Sequence, residues 1–199
     1  MSEKIITSDG YAIVLFSKDT VRETLKKAKI RKKDLTDLFD EDPNFSELMM
    51  TSGAILPIIT ESINDYFFDI YLNESDTFSD LEWELLKEEG PFNLNIMNDE
   101  IWIGAISNLY EWDYKKYDVT SSILGYETLD GVNGKVSFIY EAQKVNLDGG
   151  IYEVYVQGYK KKTLSGIRER DYGFGFKVSK INDLIDLERI SKNNIFNID

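Results

Sequence analysis

Halfway along this chain the apolar residues change their period, and no single class of element can satisfy both halves. In the second half they alternate. Val136, Phe138, Tyr140 and Ala142 interleave with Ser137, Ile139, Glu141 and Gln143, and Tyr172, Phe174, Phe176 and Val178 interleave with Gly173, Gly175 and Lys177. A spacing of two places side chains on alternate faces of a strand. In the first half they recur at helical spacing. Ile55, Ile59, Ile63, Tyr66, Phe67 and Ile70 give the longest such run, Ile55 to Leu72. The expected fold class is therefore α+β. It comprises an N-terminal helical half with a short hairpin, then an antiparallel β-meander and a C-terminal helix. With 199 residues, the chain is expected to form one domain, residues 1–95 mainly helical and 96–199 mainly β.

Local signals fill in this plan. Ile5-Ile6, Ser8-Asp9-Gly10 and Tyr11 to Phe16 read as the short hairpin. Thr20 with Glu23 forms a capping box, starting a helix with Val21, Leu25 and Ala28 on its apolar stripe. A second helix is expected over Asp34–Phe39, ending before Pro43. Ser79 with Glu82 forms a second capping box, and Gly90-Pro91 supplies a stop. Glu100 to Tyr110 reads as a strand. The dipeptides Asp130-Gly131 and Asn133-Gly134 mark turns. Leu147-Asp148-Gly149-Gly150, between Val136–Ala142 and Ile151–Tyr159, is the clearest hairpin signal. Ile181 to Ser191 reads as the closing helix.

Composition removes whole classes of chemistry. There is no cysteine and no histidine. Disulfides, thiolate nucleophiles, the Ser-His-Asp arrangement and imidazole metal ligands are thus excluded. Only hard ions on oxygen ligands remain open, and no cofactor is implied. Met1-Ser2-Glu3-Lys4 has no apolar stretch behind a basic start, so no signal peptide is expected. Gly53 to Ile59 is too short to span a bilayer. The chain reads as soluble and cytoplasmic, with no membrane association.

The net charge of −13 is unevenly spread. Residues 1–33 carry 9 basic and 4 acidic residues, and residues 101–199 carry 13 and 14. Residues 34–100 carry 18 acidic residues against a single lysine, Lys87, for a net −17. Folding does not require such crowding, and like charges repel. A solubilising face would explain a merely acidic chain. A 67-residue stretch with one basic residue points instead to a recognition surface. Glu61, Asp65 and Asp69 fall at i, i+4 and i+8 on the polar face of the long helix. Glu82, Glu84 and Glu88 lie on the next one. Trp112 and Tyr114, in the aromatic-rich stretch 110–117, are the candidate apolar anchors, because such residues dominate interface hot spots. These eight residues form the expected partner-binding set, with no catalytic and no metal-binding residue among them.

Other motifs are weaker. Asp40, Asp42, Asn44 and Ser46 alternate as in a calcium loop, but Phe45 and Thr51 occupy positions that need glycine and glutamate. A helix cap explains them better. Asp113-Tyr114-Lys115 resembles a fragment of a nuclease motif without its upstream acid. The basic helix around Arg22, Lys26, Lys27 and Lys29 leads directly into acids that would repel phosphate, so nucleic-acid binding is disfavoured. Lys160-Lys161-Lys162 with Arg168 and Arg170 reads as a solvated loop. Gly173 and Gly175, two apart on one strand face, mark a place where a large side chain, a ligand or a partner comes close.

The sequence thus leads to a non-enzymatic, acidic protein-binding module that neutralises or regulates a basic partner. Its most concrete form is an immunity or inhibitor protein for a bacterial toxin such as a nuclease. The alternatives are a Mg²⁺-dependent carboxylate hydrolase and a structural or phage-assembly protein capable of self-association.

Overall fold

The computed structural model describes residues 4–60, 62, 64–129, 134, 136–164, 170–186, 188, 189, 195, 196 and 198. Along the chain these form β1 (Ile5–Thr7), β2 (Ala12–Phe16), α1 (Lys18–Lys27), α2 (Leu35–Glu41), α3 (Pro43–Thr51), β3 (Ile55–Thr60), β4 (Asp65–Tyr71), β5 (Trp83–Ile96) and β6 (Glu100–Ala105). Two 3-10 turns, Ile106–Leu109 and Tyr114–Tyr117, precede β7 (Ile123–Leu129), β8 (Val136–Asn146), β9 (Gly150–Lys161), β10 (Tyr172–Ile181) and β11 (Ile195–Phe196).

The fold is β-rich, and the expected α+β division with a helical first half does not hold. Sheet A has the order β1-β4-β10-β9-β5, and sheet B the order β11-β3-β2-β6-β8-β7. The main core lies between the sheets. Tyr66, Phe68, Val154, Val156, Phe174 and Phe176 of sheet A meet Ile13, Leu15, Leu56, Ile58, Ile101 and Ile103 of sheet B. The helices cover the other face of sheet B. There Val14, Phe16, Ile55 and Trp102 pack against Val21, Leu25, Leu35, Phe45 and Met49. The central strands of sheet B are therefore buried on both faces, which is why every residue of β2 is buried.

This layering explains the main misreading. A strand covered on both faces reads as a continuous apolar run rather than an alternating one. Ile55-Leu56-Pro57-Ile58-Ile59 is such a run, and it is β3. Asp65-Tyr66-Phe67-Phe68-Asp69-Ile70-Tyr71 is β4, whose outward side is also partly covered. Two strands end to end thus mimicked one helix. The β-branched and aromatic content of both segments was the better guide. The second expected helix fails differently. Ser79 accepts backbone hydrogen bonds from Glu82 and Trp83, which makes one turn, and the chain then enters β5. Gly90-Pro91 lies within β5, at the register shift between Glu89 and Phe92. Among the described residues no helix follows β10, and most of 187–194 lies outside them.

Two hairpins are corrected as well. β1 and β2 enter different sheets, pairing with β4 and with β3 and β6. The turn at Leu147–Gly150 carries the chain from β8 in sheet B to β9 in sheet A. Strand positions were legible there; strand partners were not. The helix at Asp34 forms as expected, with the Asp34 carboxylate capping the amides of Thr36 and Asp37. Asp42 caps α3 by accepting from the Asn44 amide, so that member of the alternating set serves as a helix cap. The Asp130-Gly131 dipeptide and Arg168 lie outside the described residues.

Candidate functional site

The outer face of sheet A carries the most organised polar chemistry on the molecule. Strand alternation turns Tyr66 and Phe68 inward and leaves Phe67, Asp69 and Tyr71 on the outer side of β4. Register places Asp69 beside Gly175, Gly175 beside Gln157, and Gln157 beside Glu88, one row across four strands. The neighbouring row runs Phe67, Gly173, Tyr159 and Leu85.

The two glycines make room for side chains. A Cβ on Gly173 would stand 2.6 Å from the Phe78 ring, and one on Gly175 would stand 2.9 Å from Tyr159. Phe78 comes from the segment 72–82, which folds back over the sheet. It stacks on Tyr159 with ring centroids 4.4 Å apart and meets Trp83 edge-on at 4.9 Å. Asp69 anchors this segment from below, accepting from the Ser75 hydroxyl at 2.6 Å and the Thr77 amide at 3.4 Å. Between the folded-back segment and the sheet lies a cleft of about 430 Å³. Tyr71, Gln157, Tyr159 and Lys177 line it from the sheet, Glu74 and Asp80 from the segment above.

The hydrogen bonds in the cleft are directionally fixed. The Glu88 carboxylate can only accept, so the Gln157 side-chain NH₂ faces it and donates. The Gln157 carbonyl oxygen then faces the other way, where Tyr71 and Tyr159 both donate to it, Tyr159 at 2.8 Å. The two phenol oxygens lie 3.3 Å apart, so the hydroxyls also meet each other beside the Gln157 carbonyl oxygen. Burial, first of all, raises the pKa of Tyr71, helped by its bond with Tyr159 and the negative charges of Asp69 and Glu88. Burial also raises that of Tyr159, against the lowering effect of its bond with Tyr71. Both stay neutral at ordinary pH. The carboxylates of Glu74 and Asp80 supply acceptors to the lining, and the Lys177 ammonium supplies a donor.

The eight residues expected to bind a partner separate. Asp65 is half-buried; Thr7 donates to it at 2.7 Å and Arg170 lies 3.7 Å away. Asp69 is 2% exposed and ion-paired with Lys4. Both are occupied within the fold. Glu61 lies outside the described residues. Glu84 and Glu88 are exposed on β5, an edge strand of sheet A, and Glu82 is exposed in the turn just before it. Trp112 is buried in the helical layer, 5.5 Å from Phe16 and 5.4 Å from Tyr117. Tyr114 lies under Arg22, 5.2 Å from its guanidinium carbon. Both aromatics pack in the helix-side cluster of sheet B, whereas Glu84 and Glu88 stand on β5 of sheet A.

Besides Glu82, Glu84 and Glu88, the folded-back segment supplies Glu74, Asp76 and Asp80, all exposed, of which Glu74 and Asp80 line the cleft. None of these six carboxylates has an ion-pair partner among the described residues. The local balance is moderated by lysines. Lys162 donates to the Asp80 carbonyl, and Lys161 sits over the rings of Phe67 and Trp83 at 4.7 and 5.4 Å. Among the described residues no three Asp or Glu side chains come together to hold a metal ion. Likewise among them, no helix is long and apolar enough to cross a membrane. Tyr71, Gln157, Tyr159 and Lys177 were not singled out as binding residues by sequence. The Gly173/Gly175 pair marked the sheet beneath them, and the neighbours it announced are large side chains. Comparison of the chain with protein-family models, with curated proteins and with solved structures finds no match.

Proposed function

We propose that this chain is an acidic protein-binding module that engages a basic partner at the outer face of sheet A, most concretely an immunity or inhibitor protein for a bacterial toxin such as a nuclease. One observation supports it above the rest: the exposed carboxylates of Glu74 and Asp80 line the cleft beside the hydroxyls of Tyr71 and Tyr159, and neither has an ion-pair partner among the described residues. A lysine or arginine side chain carries only donors and a positive charge, so it complements such a lining. Rim carboxylates speed association with a basic surface and reject acidic competitors. Neutralising a basic site in this way needs no catalytic group.

The test compares capture by the wild-type chain with capture by the variant Glu82→Lys/Glu84→Lys/Glu88→Lys, followed by titration calorimetry on any protein enriched by the wild type. The expected result is a basic partner whose affinity falls at least tenfold in the variant and weakens as salt is raised. Equal affinity for both forms, or binding that ignores salt, refutes the reading.

A further inference from the structure

The far end of sheet B is a two-stranded ribbon, Gly125–Leu129 of β7 against Val136–Tyr140 of β8. It extends past the portion of β8 that pairs with β6, which starts at Ala142. Every residue of Gly125–Leu129 and Val136–Phe138 is exposed. They include Leu129 at 66%, Val136 at 57%, Tyr126 at 54% and Phe138 at 39%. Leu129 and Val136 are register partners, as are Glu127 and Phe138, so Leu129, Val136 and Phe138 share one face, with Glu127 among them. A two-stranded ribbon on its own is marginally stable in water. β7 is also an edge strand, pairing only with β8 among the described residues. Edges are ordinarily blunted with lysine, proline or a bulge. β7 has no lysine and no proline, and its register shift lies at its start, between Leu124 and Gly125.

Charge identifies the occupant. Each copy carries −13, so two copies repel unless they meet on a charge-poor surface. Residues 119–140 hold only Glu127, Asp130 and Lys135, a net −1, in a chain that is 30% charged. A basic partner would gain little there, whereas a second copy meets its least repulsion and most apolar contact. We infer that two copies associate about a twofold axis through antiparallel pairing of β7 with β7. The two ribbons become four strands, and Leu129, Val136 and Phe138 from each copy line one strip that is apolar apart from Glu127. Like charges directly opposite are unfavourable, so the axis passes near Tyr126 or Thr128 rather than Glu127.

Sedimentation equilibrium on the full chain, over a range of concentration and salt, tests this. A monomer–dimer equilibrium is expected, and salt should tighten it, because screening relieves the mutual repulsion. That is the opposite of the salt response expected for a basic partner. Leu129→Lys/Val136→Lys should weaken the dimer at least tenfold, while Glu82→Lys/Glu84→Lys/Glu88→Lys leaves it intact. The chain has no cysteine, so an added one reports proximity cleanly. Oxidation of Tyr126→Cys or Thr128→Cys should give a disulfide-linked dimer, and Asp183→Cys, on an exposed loop, should not. A monomer at every concentration, a dimer indifferent to the Leu129/Val136 change, or equal cross-linking from Asp183→Cys overturns the inference. Should the double lysine variant fail to fold, the cysteine comparison decides by itself.

Discussion

Gln157 stands across from Glu88 on adjacent antiparallel strands, giving its amide hydrogen to that carboxylate and receiving the phenolic protons of Tyr71 and Tyr159 on its carbonyl oxygen. Gln157→Leu keeps the approximate shape but strands two partly buried hydroxyl donors. Leaving a buried donor unpaired costs about 1–3 kcal/mol. Urea unfolding should show a loss of about 2 kcal/mol with unchanged slope. Glu88→Gln should cost less, since an amide can still accept from Gln157.

Gly173→Ala places a methyl group against the Phe78 ring and near the Phe67 carbonyl oxygen. Overpacking of this kind costs about 1–3 kcal/mol. If the ring is the obstacle, Phe78→Leu should recover part of the loss made by Gly173→Ala, and a double-mutant cycle should give a clear coupling energy. Additive losses would mean that the Phe67 carbonyl, not the ring, sets the limit.

Asp69→Asn should destabilise the chain by about 2 kcal/mol, since it weakens charge-assisted bonds from Lys4, Ser75 and Thr77. The segment 72–82 should loosen with it, and amide exchange at Thr77 and Phe78 should accelerate before global unfolding. Exchange unchanged in this segment would show that Phe78 stacking alone holds it.

Alkaline stability follows from groups whose pKa values are raised in the fold. Burial raises Tyr71, Tyr117 and Tyr159 above the ordinary phenolic value. Burial alone would lower Lys18, but its hydrogen bonds with Asp118 and Glu100, and their charges, outweigh it and hold Lys18 above its usual value. A group raised in the folded state contributes fully below its unfolded pKa. That contribution is lost as pH rises through the folded value. Stability should therefore be level up to about pH 10 and fall above it. Phenolate absorbance from Tyr71, Tyr117 and Tyr159 should appear only as circular dichroism is lost. A single early titration of all tyrosines would contradict the burial of these three.

How much of this was legible depends on what covers each strand. β10 alternates large aromatic and small residues, and its position could be read directly. β3 and β4 could not be read this way, because both faces of β3 and part of the outer face of β4 meet protein. With no polar phase to mark period two, Ile55, Ile59, Ile63 and Tyr66 fell by chance at helical spacing. Strand partners were hidden for a different reason. Local turn chemistry predicts that neighbouring strands pair, and here Leu147–Gly150 joins strands of different sheets. The same limit applied to the acidic residues. Charge counts located Glu82, Glu84 and Glu88 on an exposed surface, but not that Lys4 sits on Asp69, which is 65 residues away in sequence. Trp112 and Tyr114 showed aromatic character without showing which side of sheet B they face.

The parallel pairing of β4 with β10 has a consequence for how the chain reaches its native state during synthesis. β4 spans residues 65–71 and its neighbour β10 spans 172–181, so about a hundred residues must leave the ribosome before that edge is covered. Until then β4 exposes unpaired backbone groups beside Phe67, Phe68 and Ile70. Such long-range pairing closes slowly and leaves an edge open to wrong partners. Truncations that end before Tyr172 should therefore accumulate as insoluble chains rather than as shorter folded ones.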